Sequence, residues 1–434
     1  MSILESLHHP ERYFKIFLKW GLLGVFMGGI GGLLGAGFHH VLHFVTEVRQ
    51  EHGWLVLLLP LAGLLTVGIY KVLLKGRNRG TNEIIEAILN GESVNPLVAP
   101  VIFAASSLTH LFGGSAGREG AALQLGGSVA SMLGRGLRLG ENERTVLIMS
   151  GMSAVFAGLF GTPLTATLFT MEFASVGTIF TPALLPCYLA AFMASRVSLV
   201  LGVHPEVYFL NERVSFTATA NIQVLVLSVA IGFLGIAMCF FFHHAEDFAA
   251  KRLPNAWLRI ALGGLLLAAM TALVGDQRYN GAGMDMALKA VAGEADGYDF
   301  LLKLLFTAVT LAAGFKGGEI VPTFCIGATF GCVLGGVLGF DPGMAAALGL
   351  VGLFCSVTNS PIAAIILSVE MFGSANLYLF AFVCVIAFVI SGNWGLYASQ
   401  IIQFSNYRMV RRRKADRMDD VKYPEEYRHE GTEM

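Results

Sequence analysis

Long apolar runs alternate along this chain with shorter apolar runs that contain glycine, proline or polar residues. Residues 54–74, 222–243 and 377–402 are each long enough to span a membrane, which takes about 20 apolar residues. The shorter runs lie at residues 121–133, 163–171, 320–338 and 361–369. A broken helix at membrane depth is tolerated only where its backbone lines a cavity or is buried in protein. The pattern therefore predicts an all-α polytopic membrane protein whose broken helices border a binding site.

The composition agrees with that class. Of the 434 residues, 55% are hydrophobic and 14% are charged, whereas soluble domains carry about 25% charged residues. The formal net charge of -1 gives no reason to expect nucleic-acid binding. Basic residues concentrate near the N-terminus, at residues 71–79 and at residues 408–417, but not at residues 50–54 or around Asp296. Because basic residues stay on the cytoplasmic side of a membrane, we expect both termini there.

The cysteines and histidines do not suggest a metal site. All six cysteines fall in or beside apolar runs without CxxC spacing, so we interpret them as buried packing residues. His39, His40 and His43 include a pair four residues apart, a spacing that suits a metal on a helix. We interpret them as having no acidic or cysteine partner for a metal, which favours a role at a helix end. We expect no metal and no cofactor.

The two halves of the chain repeat each other. Pro163 precedes Glu172 by nine residues, and Pro361 precedes Glu370 by nine. A glycine-rich break precedes a short helix in both halves, GREGAALQLGG at residues 117–127 and GGEIVPTFCIG at residues 317–327. Such halves commonly pack as inverted-topology repeats whose half-helices meet at mid-membrane. Helix N-termini expose unpaired N–H groups, so their meeting point suits an anion.

The repeat also defines the expected domain organisation. We expect a cytoplasmic segment at residues 1–12, a transport domain at residues 13–404 and a cytoplasmic tail at residues 405–434. Within the transport domain, repeat 1 takes residues 13–203 and repeat 2 takes residues 214–404. Because Glu172 and Glu370 end short helices at matched positions, we interpret both as structural.

Glu119 lies where an ionisable residue is costly. It stands between the apolar runs 99–112 and 121–133. An ionisable side chain at membrane depth marks an ion or proton path by default. A structural salt bridge with Arg118 is the alternative, but adjacent residues on a helix point apart. Glu119 is therefore the first candidate for a functional residue.

Three motifs in order resemble the CLC superfamily of anion channels and anion/proton exchangers. They are GREG before a short helix, GGEIVP in the second repeat and SGNWGLYAS at residues 391–399, and the likeness covers about residues 13–406. The resemblance implies a homodimer in the lipid bilayer in which each mostly helical subunit has its own pore. It also implies that Glu119 is the gating glutamate and Tyr397 the inner-gate tyrosine. The motifs place Gly120, Ile320 and Val321 among the anion-binding positions.

Departures from the chloride pattern resemble the fluoride-exporting branch of that superfamily. RGTNEIIEAI replaces the serine-containing GSGIP loop, so the serine position falls on Gly80 or Thr81, beside Asn82. GGEIVP puts an acidic Glu319 beside the anion site. Phe173 stands where chloride/proton exchangers often carry a second glutamate for protons from inside.

The physical chemistry of fluoride is compatible with these changes. Fluoride is small and strongly hydrated, and a protonated carboxylic acid is a strong donor that can replace its water. Glu319 suits an anion only if it is neutral for part of the cycle, because an ionised carboxylate would repel the anion. A salt bridge to Lys316 at i,i+3 is the structural alternative for Glu319.

The predicted function is export of fluoride in exchange for inward protons across a bacterial-type plasma membrane, with Glu119 as the protonatable gate. A chloride/proton exchanger and a passive anion channel of the same fold are the alternatives, and Phe173 favours the channel. The sequence has no HExxH, GxSxG or P-loop motif, so we do not expect an enzyme.

Overall fold

A computed structural model describes residues 10–76, 80–208, 210, 214–215, 217–404 and 411–417. Helices dominate this part of the chain. Seven helical segments within it are long and apolar enough to cross a membrane. The all-α polytopic architecture predicted from the sequence is confirmed. The predicted terminal segments lie largely outside the described residues, which leave out 1–9, 405–410 and 418–434.

The described helices divide into two sets of eight, one for each half of the chain. The first set comprises α1 (Pro10–Glu51), α2 (Leu59–Leu73), α3 (Thr81–Asn90), α4 (Val98–Leu111), α5 (Glu119–Gly136), α6 (Glu141–Phe160), α7 (Pro163–Glu172) and α8 (Leu184–Val200). The second set comprises α9 (Ala218–Arg252), α10 (Ala256–Val274), α11 (Met284–Val291), α12 (Asp299–Ala313), α13 (Ile320–Leu338), α14 (Pro342–Thr358), α15 (Pro361–Phe372) and α16 (Leu377–Ser391). Short 3-10 helices occupy Gly53–Leu58 and Thr181–Ala183.

A small three-stranded sheet pairs the segment that follows α7 with segments that follow α16. Strand β1 (Ser175–Val176) pairs in parallel with β2 (Ile401–Phe404), which pairs antiparallel with β3 (Arg411–Arg417). The sequence suggested that the apolar run at 377–402 spans the membrane as one segment. In the structure this run is divided between helix α16 and strand β2. Helix α16 ends at Gly392, whose φ of 61° favours glycine and stops the helix.

Two of the runs interpreted as short and interrupted form continuous helices of about the length of a membrane span. Helices α5 and α13 have 18 and 19 residues. Glycines inside them do not break the helix; they let a neighbouring helix approach. A Cβ added to Gly126 would lie 2.2 Å from the carbonyl oxygen of Gly151, and one added to Gly327 would lie 2.3 Å from that of Gly349. Both helices therefore begin at the breaks, and each packs tightly against the next helix.

The prediction that the run at 54–74 is long enough to span a membrane is confirmed, because the helical segment Gly53–Leu73 has 21 residues. This segment begins as the 3-10 helix at Gly53–Leu58 and continues as helix α2, which has proline in its first turn. The other two short runs are confirmed, because α7 has 10 residues and α15 has 12. These two helices pack against each other.

Reciprocal carboxylate caps show how the two halves are related. The carboxylate of Glu172, at the end of α7, accepts hydrogen bonds from the backbone of Ile362 (3.2 Å) and Ala363 (2.9 Å) at the start of α15. Glu370, near the end of α15, accepts from Leu164 (2.9 Å) and Thr165 (2.8 Å) at the start of α7. Each short helix caps the other, as inverted repeats require. These contacts agree with the structural interpretation of both glutamates.

Candidate anion and proton site

The two glycine-rich breaks meet each other in the interior. Gly117 and Gly318 form an antiparallel bridge, with N–O distances of 2.6 and 2.8 Å. Neither position has room for a side chain. A Cβ on Gly117 would lie 2.4 Å from Oε2 of Glu119, and a Cβ on Gly318 would lie 2.6 Å from the amide nitrogen of Gly120. The bridge therefore brings the N-termini of α5 and α13 to one point.

Glu119 lies at that point and is fully buried. Its Oε2 accepts hydrogen bonds from the amides of Arg118 (3.0 Å) and Val321 (3.2 Å), one from each break. Its Oε1 has no hydrogen-bond partner among the described residues. A carboxylate held by helix N-termini occupies a position that also suits a small anion.

The segment that replaces the serine-containing loop, residues 80–82, comes close to this position through Thr81. Thr81 begins α3 and is buried, and a Cβ added to Gly120 would lie 3.1 Å from its hydroxyl oxygen. Gly80 precedes it with a φ of 57°, a conformation that glycine adopts without strain. The hydroxyl of Thr81 therefore lies close to Gly120, another of the predicted anion-binding residues.

Tyr397 is buried as well. Its hydroxyl has no hydrogen-bond partner among the described residues, and its ring packs edge-on against Phe173 at 5.8 Å between centroids. The amide of Ser399 donates to Oδ1 of Asn82 (3.1 Å), which ties the Tyr397 loop to the start of α3. The sequence-predicted residues from three distant segments thus come together.

Glu319 directly precedes α13 and is partly buried. It makes no capping hydrogen bond to that helix. Electrostatic interactions reach it from Glu119, Glu246 and Lys316. The predicted alternative, a salt bridge to Lys316, does not form within 4.0 Å in the described structure; Lys316 lies instead over the ring of Tyr70, 5.2 Å from its centroid. Ile320, the next residue, is fully buried.

Arg118 connects the site to two residues that the sequence did not associate with it. Its guanidinium pairs with the carboxylate of Glu206 and lies 3.1 Å from Nδ1 of His39. Its Nε is 4.0 Å from Oε1 of Glu119, so the salt bridge weighed as an alternative is at most a marginal contact. Glu206 and His39 lie 88 and 79 residues away in sequence. No local pattern marks Glu206, and His39, for which the sequence favoured a helix end, lies inside α1.

A polar vestibule leads to Arg118 and Val321. This cavity has a volume of about 1090 Å³ and is lined by the end of α1, the start of α11 and the loops between α10 and α12. Its mouth contains Arg278, which lies 2.8 Å from Asp296 and 3.3 Å from Asp299. Gln277 at this mouth donates to the carbonyl of Gly53 (2.9 Å). Two segments that lack basic residues, 50–54 and the loop around Asp296, therefore lie on one face.

Comparison with known proteins identifies the family to which this chain belongs. The model of the family described as voltage gated chloride channel matches residues 62–392, and the chain belongs to that family. A relative from Pseudomonas syringae pv. tomato, named chloride/fluoride channel protein, is 33% identical over 413 residues, covering 93% of this chain and 91% of the relative.

Solved structures share the fold. One described as a CLC-type fluoride/proton antiporter has a TM-score of 0.86 and 35% identity, covering 88% of this chain and 98% of that chain. Another, described as a slow cyanobacterial Cl⁻/H⁺ antiporter, has a TM-score of 0.74 and 20% identity, covering 86% and 94%. At 20% identity the likeness concerns the fold alone.

Proposed function

We propose that the protein is a secondary active antiporter that exports fluoride in exchange for inward protons, with Glu119 as the protonatable gate. One observation carries the proposal. The Glu119 carboxylate, buried between the N-termini of α5 and α13, accepts amide hydrogen bonds from both breaks. Chemistry that suits a carboxylate there also suits an anion, so the two can alternate.

The alternation couples the two ions. When Glu119 is ionised, it fills the anion position and excludes the anion by charge and by volume. A proton that neutralises the carboxyl removes its attraction to the helix N-termini, and the side chain then leaves the position to the anion. Proton and anion therefore move in opposite directions, and an inward proton gradient expels the anion.

Donors around the site support fluoride as the anion. Glu319 in its neutral form, the unpartnered hydroxyl of Tyr397 and the hydroxyl of Thr81 offer short donors to a strongly hydrated ion. The structure at 35% identity is described as a fluoride/proton antiporter, which supports the same substrate here. Chloride/proton exchange with the same gate is the alternative for the substrate.

A passive channel is the second candidate for the mechanism. Phe173 is fully buried against Tyr397, at the place where a second proton-carrying glutamate would be expected. The Pseudomonas relative is named a channel protein. A channel would dissipate a fluoride gradient without moving protons.

The location and assembly complete the proposal. We infer a bacterial-type plasma membrane, with both termini on the cytoplasmic side, because the basic segments of the chain lie near its ends and at residues 71–79. We also infer a homodimer in which each subunit carries its own pathway, as its membership of the family implies.

The decisive experiment measures proton uptake into liposomes driven by an outward fluoride gradient. Wild-type protein should acidify the lumen, and Glu119→Gln, which keeps the shape of the side chain but cannot ionise, should abolish the proton movement. Glu92→Gln makes the same chemical change at an exposed turn and should behave like wild type. Proton exchange that continues in Glu119→Gln would refute the gate, and fluoride flux without protons in wild type would establish a channel.

A further inference from the structure

The vestibule floor has an arginine and a histidine that the Glu119 site does not use. Arg49, near the end of α1, is 4% exposed, and His110, near the end of α4, is 3% exposed; both line the cavity. Nε of Arg49 and Nε2 of His110 are buried without a hydrogen-bond partner in the described part of the chain. A buried polar atom without a partner is costly. Something that the vestibule admits must satisfy these two atoms.

The charge of Arg49 is not neutralised locally. Its recorded hydrogen bond runs from Nη1 to the backbone carbonyl of His110, at 3.4 Å. Within the described residues no carboxylate approaches it to 4.0 Å, and Asp285 acts on it only through a longer-range interaction. An arginine this deeply buried is ordinarily held in a carboxylate pair. This one keeps its positive charge facing the cavity.

A second buried cation stands behind the floor. Lys303 is fully buried, and its Nζ donates to Oγ of Ser115 (3.0 Å) and to the carbonyls of Tyr279 (3.1 Å) and Gly281 (2.7 Å). All three acceptors are neutral. The floor is therefore electropositive, whereas Arg278 at the mouth is surrounded by carboxylates. An anion that has passed the carboxylates at the mouth is attracted to this floor.

The hydrogen bond at Nδ1 of His110 determines whether Nε2 is a donor or an acceptor toward the cavity. Nδ1 lies 2.8 Å from the carbonyl oxygen of Ser106, so Nδ1 must carry a proton and donate it. Nε2 of the neutral ring is then an acceptor, which suits a water between the ring and a donor. In the charged ring Nε2–H is a second donor beside the guanidinium, and two cationic donors suit an anion. Because the neutral ring accepts a hydrogen bond at Nε2, water is the simplest alternative occupant of the site.

We propose that Arg49 and His110 form a second anion-binding site, on the vestibule floor outside the position of Glu119. The occupant is a small monovalent anion, held by the Arg49 guanidinium. The negative charge of the anion favours protonation of the neighbouring His110 ring, whose Nε2–H then donates to it. The site requires no proton exchange at Glu119, so it goes beyond the proposed function. In transport, this site binds the anion between the position of Glu119 and the mouth of the vestibule.

Bromide tests the site because its anomalous scattering distinguishes it from water. Crystals of the full chain are soaked in bromide, and we expect an anomalous peak within hydrogen-bonding distance of both Arg49 and His110. Arg49→Met removes the charge at similar length and should abolish this peak, whereas Arg49→Lys should retain it. Arg135→Met removes an exposed arginine at the end of α5 and should leave the peak unchanged.

Two results would overturn the proposal: ordered density without anomalous signal on the wild-type floor at saturating bromide, or a floor peak that persists in Arg49→Met. The wild-type crystals decide the first point even if Arg49→Met fails to fold. Proton coupling is measured separately with Glu119→Gln. The crystals therefore report whether the floor site exists, and the liposome assay reports whether proton movement is coupled to anion movement. Failure of one proposal can be distinguished from failure of the other.

Discussion

At the scale of single residues, the site depends on groups whose usual partners are missing. Glu119 and Tyr397 each have a buried oxygen without a partner among the described residues, and Glu319 makes no cap at the start of its helix. In a structural core such groups would be paired. Their convergence supports the proposal that a transported ion is bound there.

Glu319 provides the residue-scale prediction for selectivity. Glu319→Ala removes the donor proposed for fluoride, and one hydrogen bond of about 1.4 kcal/mol corresponds to about tenfold weaker fluoride binding. Chloride, which is less strongly hydrated, should be affected less. Competition of chloride against fluoride in the liposome flux assay measures the change. Glu319→Gln keeps an N–H donor and should lose less fluoride affinity than Glu319→Ala; equal selectivity in wild type and Glu319→Ala would contradict the role.

The sequence predicted the residues at the centre of the site better than those at its border. Glu119, Val321 and Tyr397 were identifiable because they lie in motifs or at a membrane depth where a charge is costly. Arg49, Glu206 and His110 were missed because their importance comes from contacts across long separations in sequence. A buried, unpaired arginine cannot be recognised until its surroundings are known.

At the scale of helices, the two repeats use the same packing device. Gly126 of α5 faces Gly151 of α6, and Gly327 of α13 faces Gly349 of α14, in each case with backbone against backbone. The sequence suggested that glycine-rich runs were breaks, since glycine weakens a helix. Close packing instead fixes α5 and α13 rigidly, and their first residues hold the site. Small residues at such crossings are typical of membrane helices.

Gly126→Ala tests this packing. Alanine ordinarily stabilises an exposed helix position by about 1 kcal/mol relative to glycine. At Gly126 its Cβ would lie 2.2 Å from a backbone oxygen, so the helices must separate, and overpacking costs about 1–3 kcal/mol. We expect a lower thermal unfolding temperature in detergent. Gly136→Ala, in the same helix with open space around it, should be neutral or stabilising; equal stability of the two variants would contradict the interpretation.

At the scale of the whole molecule, contacts define two opposite faces. Lys19 pairs with Glu143 at 2.5 Å, which places the start of α6 beside the N-terminal part of α1. Arg49, at the other end of α1, lies on the vestibule. The basic N-terminal region and the vestibule are therefore at opposite ends of α1, which is long enough to cross a membrane.

Cysteine labelling tests the orientation. The six native cysteines are buried, so a membrane-impermeant thiol reagent should give little background. Gly140 and Gly297 both have open space around them. Gly140→Cys, near the Lys19–Glu143 contact, should react only after the cells are opened, and Gly297→Cys, at the vestibule mouth, should react in intact cells. The reverse pattern would show that the termini face outward.

The two oxygens of Glu119 differ in a way that sets the order of events. Oε2 holds two amides, whereas Oε1 holds none among the described groups. A proton can therefore join Oε1 without breaking any existing bond, while the carboxyl is still seated. Under the proposed exchange mechanism, the side chain departs only after it has been neutralised. In that order of events, the anion does not cross unless a proton has first been taken up.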